Sequence, residues 1–359
     1  MSKRDLVITA GNGDYFDDLQ RFVDSLLGAG EYDGRVVVCD NVITGTWNNP
    51  GTYLEEPGFS DDQYAYFRDM GVEVVRLHEL IGRNGVTREE VESIVGRTQR
   101  YPYKFIYNCL ISKEYRRLVD RVCYLDSDVV VQRPVRELFD QVGPAGVYMT
   151  PEHQAIGDMA TMRQWVGTTD VTFGGSASDF DEVMSASMNL CTGFIAGGVG
   201  PFNRFMQLCW VVAASDRVAF HTDQPLVNIL SHYYGFPVVQ LGRDVVLHLK
   251  GAPPDRLSFE GGAVLFDGTP PVAVHFNGTS DREVREGVRV GRLERAGRGR
   301  RLDYLVRRAG HRVSRLADSR AVRAVVDVDV RDALRRAARR TLPERVRASL
   351  RGAIHALRR

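Results

Sequence analysis

The chain is short of cysteine and tryptophan, with five and three in 359 residues, and no apolar run approaches the roughly 20 residues that a membrane span needs. Cys39, Cys109, Cys123, Cys191 and Cys209 are odd in number, scattered and mostly set among apolar neighbours. That pattern argues against a disulfide frame or a zinc-binding spacing and predicts small core residues in a reducing compartment. Lysine is absent from residues 281–359, which hold 24 Arg and 10 acids for a net charge of +14. The preceding 280 residues hold 23 basic and 36 acidic side chains, a net charge of −13, so the overall +1 conceals an acidic body and a basic tail. Met1-Ser-Lys-Arg-Asp runs straight into Leu6-Val-Ile-Thr-Ala, so no secretory leader is expected and the Asn277-Gly-Thr sequon carries no weight.

What is present is a chain of apolar strands alternating with helical stretches. Strands are expected at Leu6–Ala10, Arg35–Asp40, Val72–Leu77, Val122–Leu125, Val238–Leu249 and Val272–Phe276. Helices are expected at Asp17–Leu27, Asp61–Met70, after Pro102 to Leu118, Phe202–Ala214 and from His221-Thr-Asp-Gln-Pro to Tyr233. Such alternation predicts an α/β fold, a mostly parallel sheet covered by helices on both faces, with ligands at the carboxyl ends of its strands. Residues 150–190 have weak periodicity and suit a lid or acceptor-binding insert.

The most informative segment is Val122-Cys-Tyr-Leu-Asp-Ser-Asp-Val-Val-Val131. On a continuous strand Asp126 and Asp128 point the same way, and two like charges set in apolar surroundings call for a cation or a proton. Hard carboxylate oxygens suit Mn²⁺ or Mg²⁺, ions that in turn hold diphosphates.

Four segments form a set: Asn12-Gly-Asp-Tyr15, Tyr124-Leu-Asp-Ser-Asp128, Thr222-Asp-Gln224 and Val274-His-Phe-Asn-Gly278. Over residues 5–282 the chain resembles the GT-A (Rossmann-like) nucleotide-sugar glycosyltransferases, and glycosyltransferase family 8 in particular, which includes glycogenin and lipopolysaccharide galactosyltransferases. The resemblance implies a GT-A domain over 1–282, a nucleoside diphosphate sugar donor, UDP-linked, and transfer to a glycan or lipid-linked acceptor with retention of configuration. It implies Asp126, Asp128 and His275 as ligands of Mn²⁺ or Mg²⁺. Ala10, Asn12, Asp14, Tyr15, Lys104, Asp126, Ser127, Thr192, Gly278 and Arg282 are implied as donor contacts, with the Tyr15 ring suited to stacking on a base. Asp223 and Gln224 are implied near the anomeric carbon. Two departures stand out: Cys191 occupies the place of the family's donor-contacting Asn, and Asp281-Arg282 replaces its late Lys-Pro-Trp.

Each residue has a plainer reading. Tyr15 can anchor the following helix, Lys104 can lie on a helix surface, Asp223 can cap a helix before Pro225, and His275 can be structural. Two other functions also fit parts of the pattern. Asp126-Ser-Asp-Val-Val130 matches the D-x-D-x-[TV] of haloacid-dehalogenase phosphatases, but after Asp128 the sole lysine is Lys250. A non-catalytic glycan-binding or scaffolding relative is the other alternative. Residues 283–359 are expected to be helical. From Leu334 apolar residues recur at Ala338, Leu342, Val346, Leu350 and Ile354 with arginines largely off that stripe, a pattern suited to an anionic membrane surface. A cytoplasmic protein peripheral to the inner face of the membrane is the expectation. Nucleic acid is not expected as a partner, because Tyr304 is the tail's one aromatic and offers no stacking platform.

Overall fold

The computed structural model of the chain describes residues 4–40, 58–87, 90, 103–158, 177–213 and 223–277. Gly278, Arg282, the boundary expected at 282 and the basic tail 283–359 lie outside them, as do 159–176 of the expected insert. Fourteen strands are described. They are β1 (Asp5–Gly11), β2 (Arg35–Asp40), β3 (Glu73–Arg76), β4 (Arg121–Leu125), β5 (Val129–Val131), β6 (Val147–Met149) and β7 (Pro151–Ala155), followed by β8 (Met188–Leu190), β9 (Phe194–Gly198), β10 (Val238–Gln240), β11 (Val246–His248), β12 (Leu257–Glu260), β13 (Ala263–Phe266) and β14 (Ala273–His275).

Seven of these build the central sheet in the order β10-β6-β9-β4-β1-β2-β3. Every pairing is parallel except those of β9, which runs antiparallel to both β4 and β6. The fold is therefore the α/β arrangement expected, with helices on both faces. Alternation along β1 explains the two layers: Leu6 and Ile8 join one core with the helices Tyr103–Tyr115 and Val199–Ala213, while Val7 joins the other with Phe16–Leu27. Helix Phe16–Leu27 buries Phe16, Leu19, Phe22, Val23 and Leu26, the spacing of one helical face. Helix Asp61–Asp69 opens with a capping box in which Ser60 and Gln63 satisfy each other's backbone donors. Among the described residues no helix is long and apolar enough to cross a membrane, and all five cysteines are free and buried.

Several boundaries differ from those expected. Val238–Leu249 is two short strands, β10 and β11, in different sheets, because Leu241 to Val245 turns between them. The helix expected to run to Tyr233 changes at Ile229 into a π turn, Ile229–Tyr233. The acids are not on a strand: β4 ends at Leu125, and Asp126-Ser-Asp128 forms a turn closed by the Val129 amide donating to the Asp126 carbonyl at 3.1 Å. The turn lets the chain leave the central sheet and start β5 in a second sheet, ordered β11-β14-β5.

Candidate active site

That second sheet completes the site. β14 pairs antiparallel with β5 so that His275 lies opposite Val129, one residue past Asp128, and pairs parallel with β11 so that His248 lies opposite His275. Strand register alone thus gathers two acids and two imidazoles from three distant segments. His275 Nε2 is 3.1 Å from Asp128 Oδ1 and 3.6 Å from Asp126 Oδ2. The histidine is buried, while the acids keep about a quarter of their side-chain surface open. Gly193 makes this approach possible. A Cβ there would sit 2.1 Å from His275 Cε1 and 2.4 Å from its Nδ1, while the Gly193 carbonyl accepts the Asp126 amide at 3.0 Å.

Lys104, on the first turn of its helix, is buried. Its ammonium is 3.0 Å from Asp126 Oδ1 and 2.7 Å from Asp223 Oδ2, and it donates to the Thr192 carbonyl at 3.2 Å. Three acceptors thus face the three protons of the amine. Lys104 ties the turn after β4 to the start of helix Asp223–Asn228 instead of lying on a helix surface. Tyr124, beneath it, donates to Asp126 Oδ1 at 2.5 Å and receives the Tyr107 hydroxyl at 3.1 Å. Charge-assisted bonds of this kind are shorter and stronger than neutral ones.

The electrostatics follow from the pairing. Burial favours the protonated form of Asp126, but Lys104, then His275, outweighs it and holds the carboxyl below its ordinary range. Burial disfavours charge on Lys104, yet Asp126 and Asp223 push its pKa well up. Burial also disfavours charge on His275, and Asp128, followed by Cys191, overcomes it. The opposite holds at His248, which burial and the neighbouring His275 drive well below the usual imidazole value.

Asn12 is buried and accepts the Asp14 amide at 3.0 Å, capping the turn Gly13–Tyr15 that follows β1. Ala10 and Ser127 are half-buried, Asp14 is exposed and Tyr15 is 39% exposed. This loop lies at the carboxyl end of β1, the end at which its parallel neighbours β2 and β4 also finish. Gln224 donates to Glu152 Oε1 at 3.3 Å. Glu152 is a site residue that the sequence did not reveal. It is buried and receives two further amides, Asn189 at 2.7 Å and Asn277 at 3.1 Å, with Asn228 bracing Asn189 at 3.0 Å. His248 was missed as well, although a lone histidine in the apolar run Val245-Val-Leu-His-Leu is a visible signal.

Among the described residues two triads of metal-capable side chains converge: Asp126, Asp128 and His275, and Cys191, His248 and His275. The first, two carboxylates and one imidazole with an open side, fits a hard dication such as Mn²⁺ or Mg²⁺.

No protein-family model and no curated protein matches the chain in sequence. Among solved structures it is similar to glycosyltransferases. One is the bifunctional glycosyltransferase WbbM in its apo form, at 13% identity and a TM-score of 0.49, the match covering 80% of this chain and 50% of that one. A second is the galactosyltransferase LgtC in complex with donor and acceptor sugar analogues, at 15% identity and a TM-score of 0.46, covering 79% of this chain and 95% of that one. A third is mouse xyloside xylosyltransferase 1 in its apo form, at 12% identity and a TM-score of 0.47, covering 77% and 98%. The chain therefore spans half the length of the first of these. Likeness at this level is one of overall shape, and the chemistry rests on the residues above.

Proposed function

We propose that the chain is a metal-dependent glycosyltransferase that takes a sugar from a UDP-linked donor, with retention of configuration, and passes it to a glycan or lipid-linked acceptor. The observation that supports this reading is the convergence of Asp126, Asp128 and His275 beside the ion pairs of Lys104 with Asp126 and Asp223, near the carboxyl end of β4. Asp126, Asp128 and His275 would hold Mn²⁺ or Mg²⁺, which when bound supplies positive charge against a leaving diphosphate. The remaining roles belong to the protein. Tyr124 and Lys104 fix Asp126 from two sides, so that its second oxygen faces His275 and the open side of the site. Lys104 also fixes Asp223, and Glu152 accepts a hydrogen bond from the Gln224 side-chain amide, which turns the Gln224 carbonyl oxygen away from Glu152. Asp223 and Gln224 are then two ordered acceptor groups suited to stabilising positive charge at an anomeric carbon. Tyr15, exposed at the end of β1, supplies a ring for the base.

The test is nucleotide binding and donor hydrolysis. The full chain with Mn²⁺ is expected to bind UDP and to release free sugar slowly from UDP-glucose or UDP-galactose without acceptor. Asp128→Ala is expected to abolish Mn²⁺-dependent UDP binding with the fold retained, since it removes one of two like charges. Transfer or hydrolysis by Asp128→Ala at the wild-type rate would overturn the reading, and so would an aspartyl-phosphate trapped on Asp126, the mark of phosphatase chemistry. Attachment of the basic tail to an anionic membrane surface, with the inner-face location it implies, rests on charge and spacing alone. Sedimentation of the full chain with phosphatidylglycerol vesicles at low salt, and release at high salt, checks it.

A further inference from the structure

His275 has two faces. Its Nε2 looks toward the carboxylates, and its Nδ1 looks the other way, 3.0 Å from His248 Nδ1 and 3.5 Å from Cys191 Sγ. All three of these side chains are buried. Zinc bonds of roughly 2.0–2.1 Å to imidazole and about 2.3 Å to thiolate imply nitrogen–nitrogen and nitrogen–sulfur separations of about 3.3 to 3.6 Å in a tetrahedral site. The sulfur–nitrogen separation to His275 matches, the nitrogen–nitrogen one is about 0.3 Å shorter, and Cys191 lies within 4.8 Å of His248. The two rings cross at 80° with their Nδ1 atoms facing each other, and one ligand atom from each of the three side chains falls within 4.8 Å of the others. His248 is braced behind by Thr150, whose Oγ1 is 2.6 Å from His248 Nε2. One thiolate and two imidazoles form a borderline-soft set quite unlike the oxygen-rich triad on the other side of the ring, and sulfur selects zinc over Mn²⁺ or Mg²⁺. Three protein ligands are also the number found in zinc sites that keep an exchangeable position.

We propose that Cys191, His248 and His275 form a second metal site, one that takes Zn²⁺ and whose occupation is exclusive of the hard-metal site at Asp126 and Asp128. This goes beyond the glycosyltransferase reading, although the two share His275, and it gives one of the five cysteines a role that the sequence pattern did not suggest. The exclusivity follows from the imidazole itself, which when neutral has one lone pair and one proton. With a hard cation on Nε2, the proton held there is released to solvent and the other stays on Nδ1, donated to His248 Nδ1. With zinc on Nδ1, the Cys191 thiol and the Nδ1 of the charged ring both release their protons to solvent, and the remaining ring proton stays on Nε2, donated to Asp128. The hard-metal site is then left with two carboxylates and a donor hydrogen pointing at them. Zinc would act as an inhibitor through the back of a metal ligand, without touching the donor sugar.

Co²⁺ titration of the full chain reads the site without reference to activity, because a thiolate ligand gives a charge-transfer absorption that an oxygen and nitrogen site does not. The expected result is a thiolate band at one equivalent, bleached by Zn²⁺ and lost in both Cys191→Ser and His248→Gln, two variants that check each other should one fail to fold. In parallel, Mn²⁺ binding is followed by water-proton relaxation. At least tenfold less Zn²⁺ should displace Mn²⁺ from the wild type than from Cys191→Ser, in which zinc can compete only at the carboxylates. Absence of the band, or its survival in Cys191→Ser, overturns the site. Equal displacement in the two proteins overturns the exclusivity. Either failure leaves Mn²⁺-dependent UDP binding as it was, whereas failure of UDP binding with the cobalt band present sinks the transferase reading and not this one.

Discussion

Two carboxylates in this protein, the half-buried Asp126 and the buried Glu152, are kept by different means. Asp126 is held by charge, with Lys104 on one oxygen and His275 near the other, and by the Tyr124 hydroxyl. Glu152 is held by neutral donors, the amides of Asn189, Gln224 and Asn277. A group held by charges can exchange them for a metal and a phosphate, because its partners are strong, directional and themselves shared with Asp128 and Asp223. Glu152, ringed by neutral amides, instead fixes the orientation of the groups that point at it. The first cluster is suited to binding charge that comes and goes, and the second to setting side-chain geometry permanently.

The largest expected effect is that of removing the cation from the first cluster. Lys104→Met leaves Asp223 without its counter-charge and Asp126 with His275 alone, a loss of about 3–5 kcal/mol by the rule for broken buried pairs, measured by urea unfolding at neutral pH. Lys104 holds the Asp126 carboxyl below its usual range against the pull of burial. That stabilisation is therefore present above the unfolded carboxylate pKa and is lost as pH falls through the lower folded value. The gap between wild type and variant should narrow below about pH 4. In the same pair the amine is pushed up, so its contribution is full below the unfolded lysine pKa and fades only as pH rises through the folded one.

Gly193→Ala tests the seam between the clusters. Its methyl must displace the His275 ring, and the overpacking is expected to cost about 1–3 kcal/mol. Loss of alignment of a ligand commonly costs 10- to 100-fold in metal affinity, and Mn²⁺ titration of the folded variant reads it. Glu152→Gln should cost less, about 1 kcal/mol in thermal unfolding, because Gln keeps one acceptor while turning an amide toward the other donors. If Glu152→Gln were as damaging as Lys104→Met, the contrast between the two carboxylates would fail. The smallest effect is expected at Arg83→Ala. Its bidentate pair with Glu114, at 2.7 and 2.8 Å, is partly exposed, and such surface pairs contribute below about 1 kcal/mol.

What was legible in the sequence was whatever announces itself locally. The Tyr-Leu-Asp-Ser-Asp run, the apolar strands and the alternation that splits Leu6 and Ile8 from Val7 are all short-range patterns. The strand was expected to end at Leu125 and does, but Asp126 and Asp128, expected to share one strand face, lie in a turn, because nothing in Val122–Val131 tells a continuous strand from two strands in different sheets. Lys104 was placed by resemblance alone; its burial between two carboxylates depends on how helix Tyr103–Tyr115 packs, which no local pattern records. The partners of His248 and Glu152 are likewise set by the register of β11 on β14 and by the packing of helix Asp223–Asn228, so a lone histidine in an apolar run signals burial but not what it faces.

The pairing of β14 with β5 also has a bearing on the order in which the site can come into being. Asp126 and Asp128 leave the ribosome well over a hundred residues before His275, and every strand of the central sheet is made before β14. The nascent chain can therefore assemble its main sheet with both acids in place and no imidazole beside them. Closing so long a loop adds only slowly to the entropic cost, but non-local pairing is a slow step in folding. The cluster of Asp126, Asp128 and His275 would then be the last part of the described fold to mature. A chain halted before Ala273 would have a nearly complete sheet, a bare edge at β5 and no capacity to complete the triad. The protein is thus built so that its scaffold precedes its chemistry, and three residues at the end of the described chain decide when the one becomes the other.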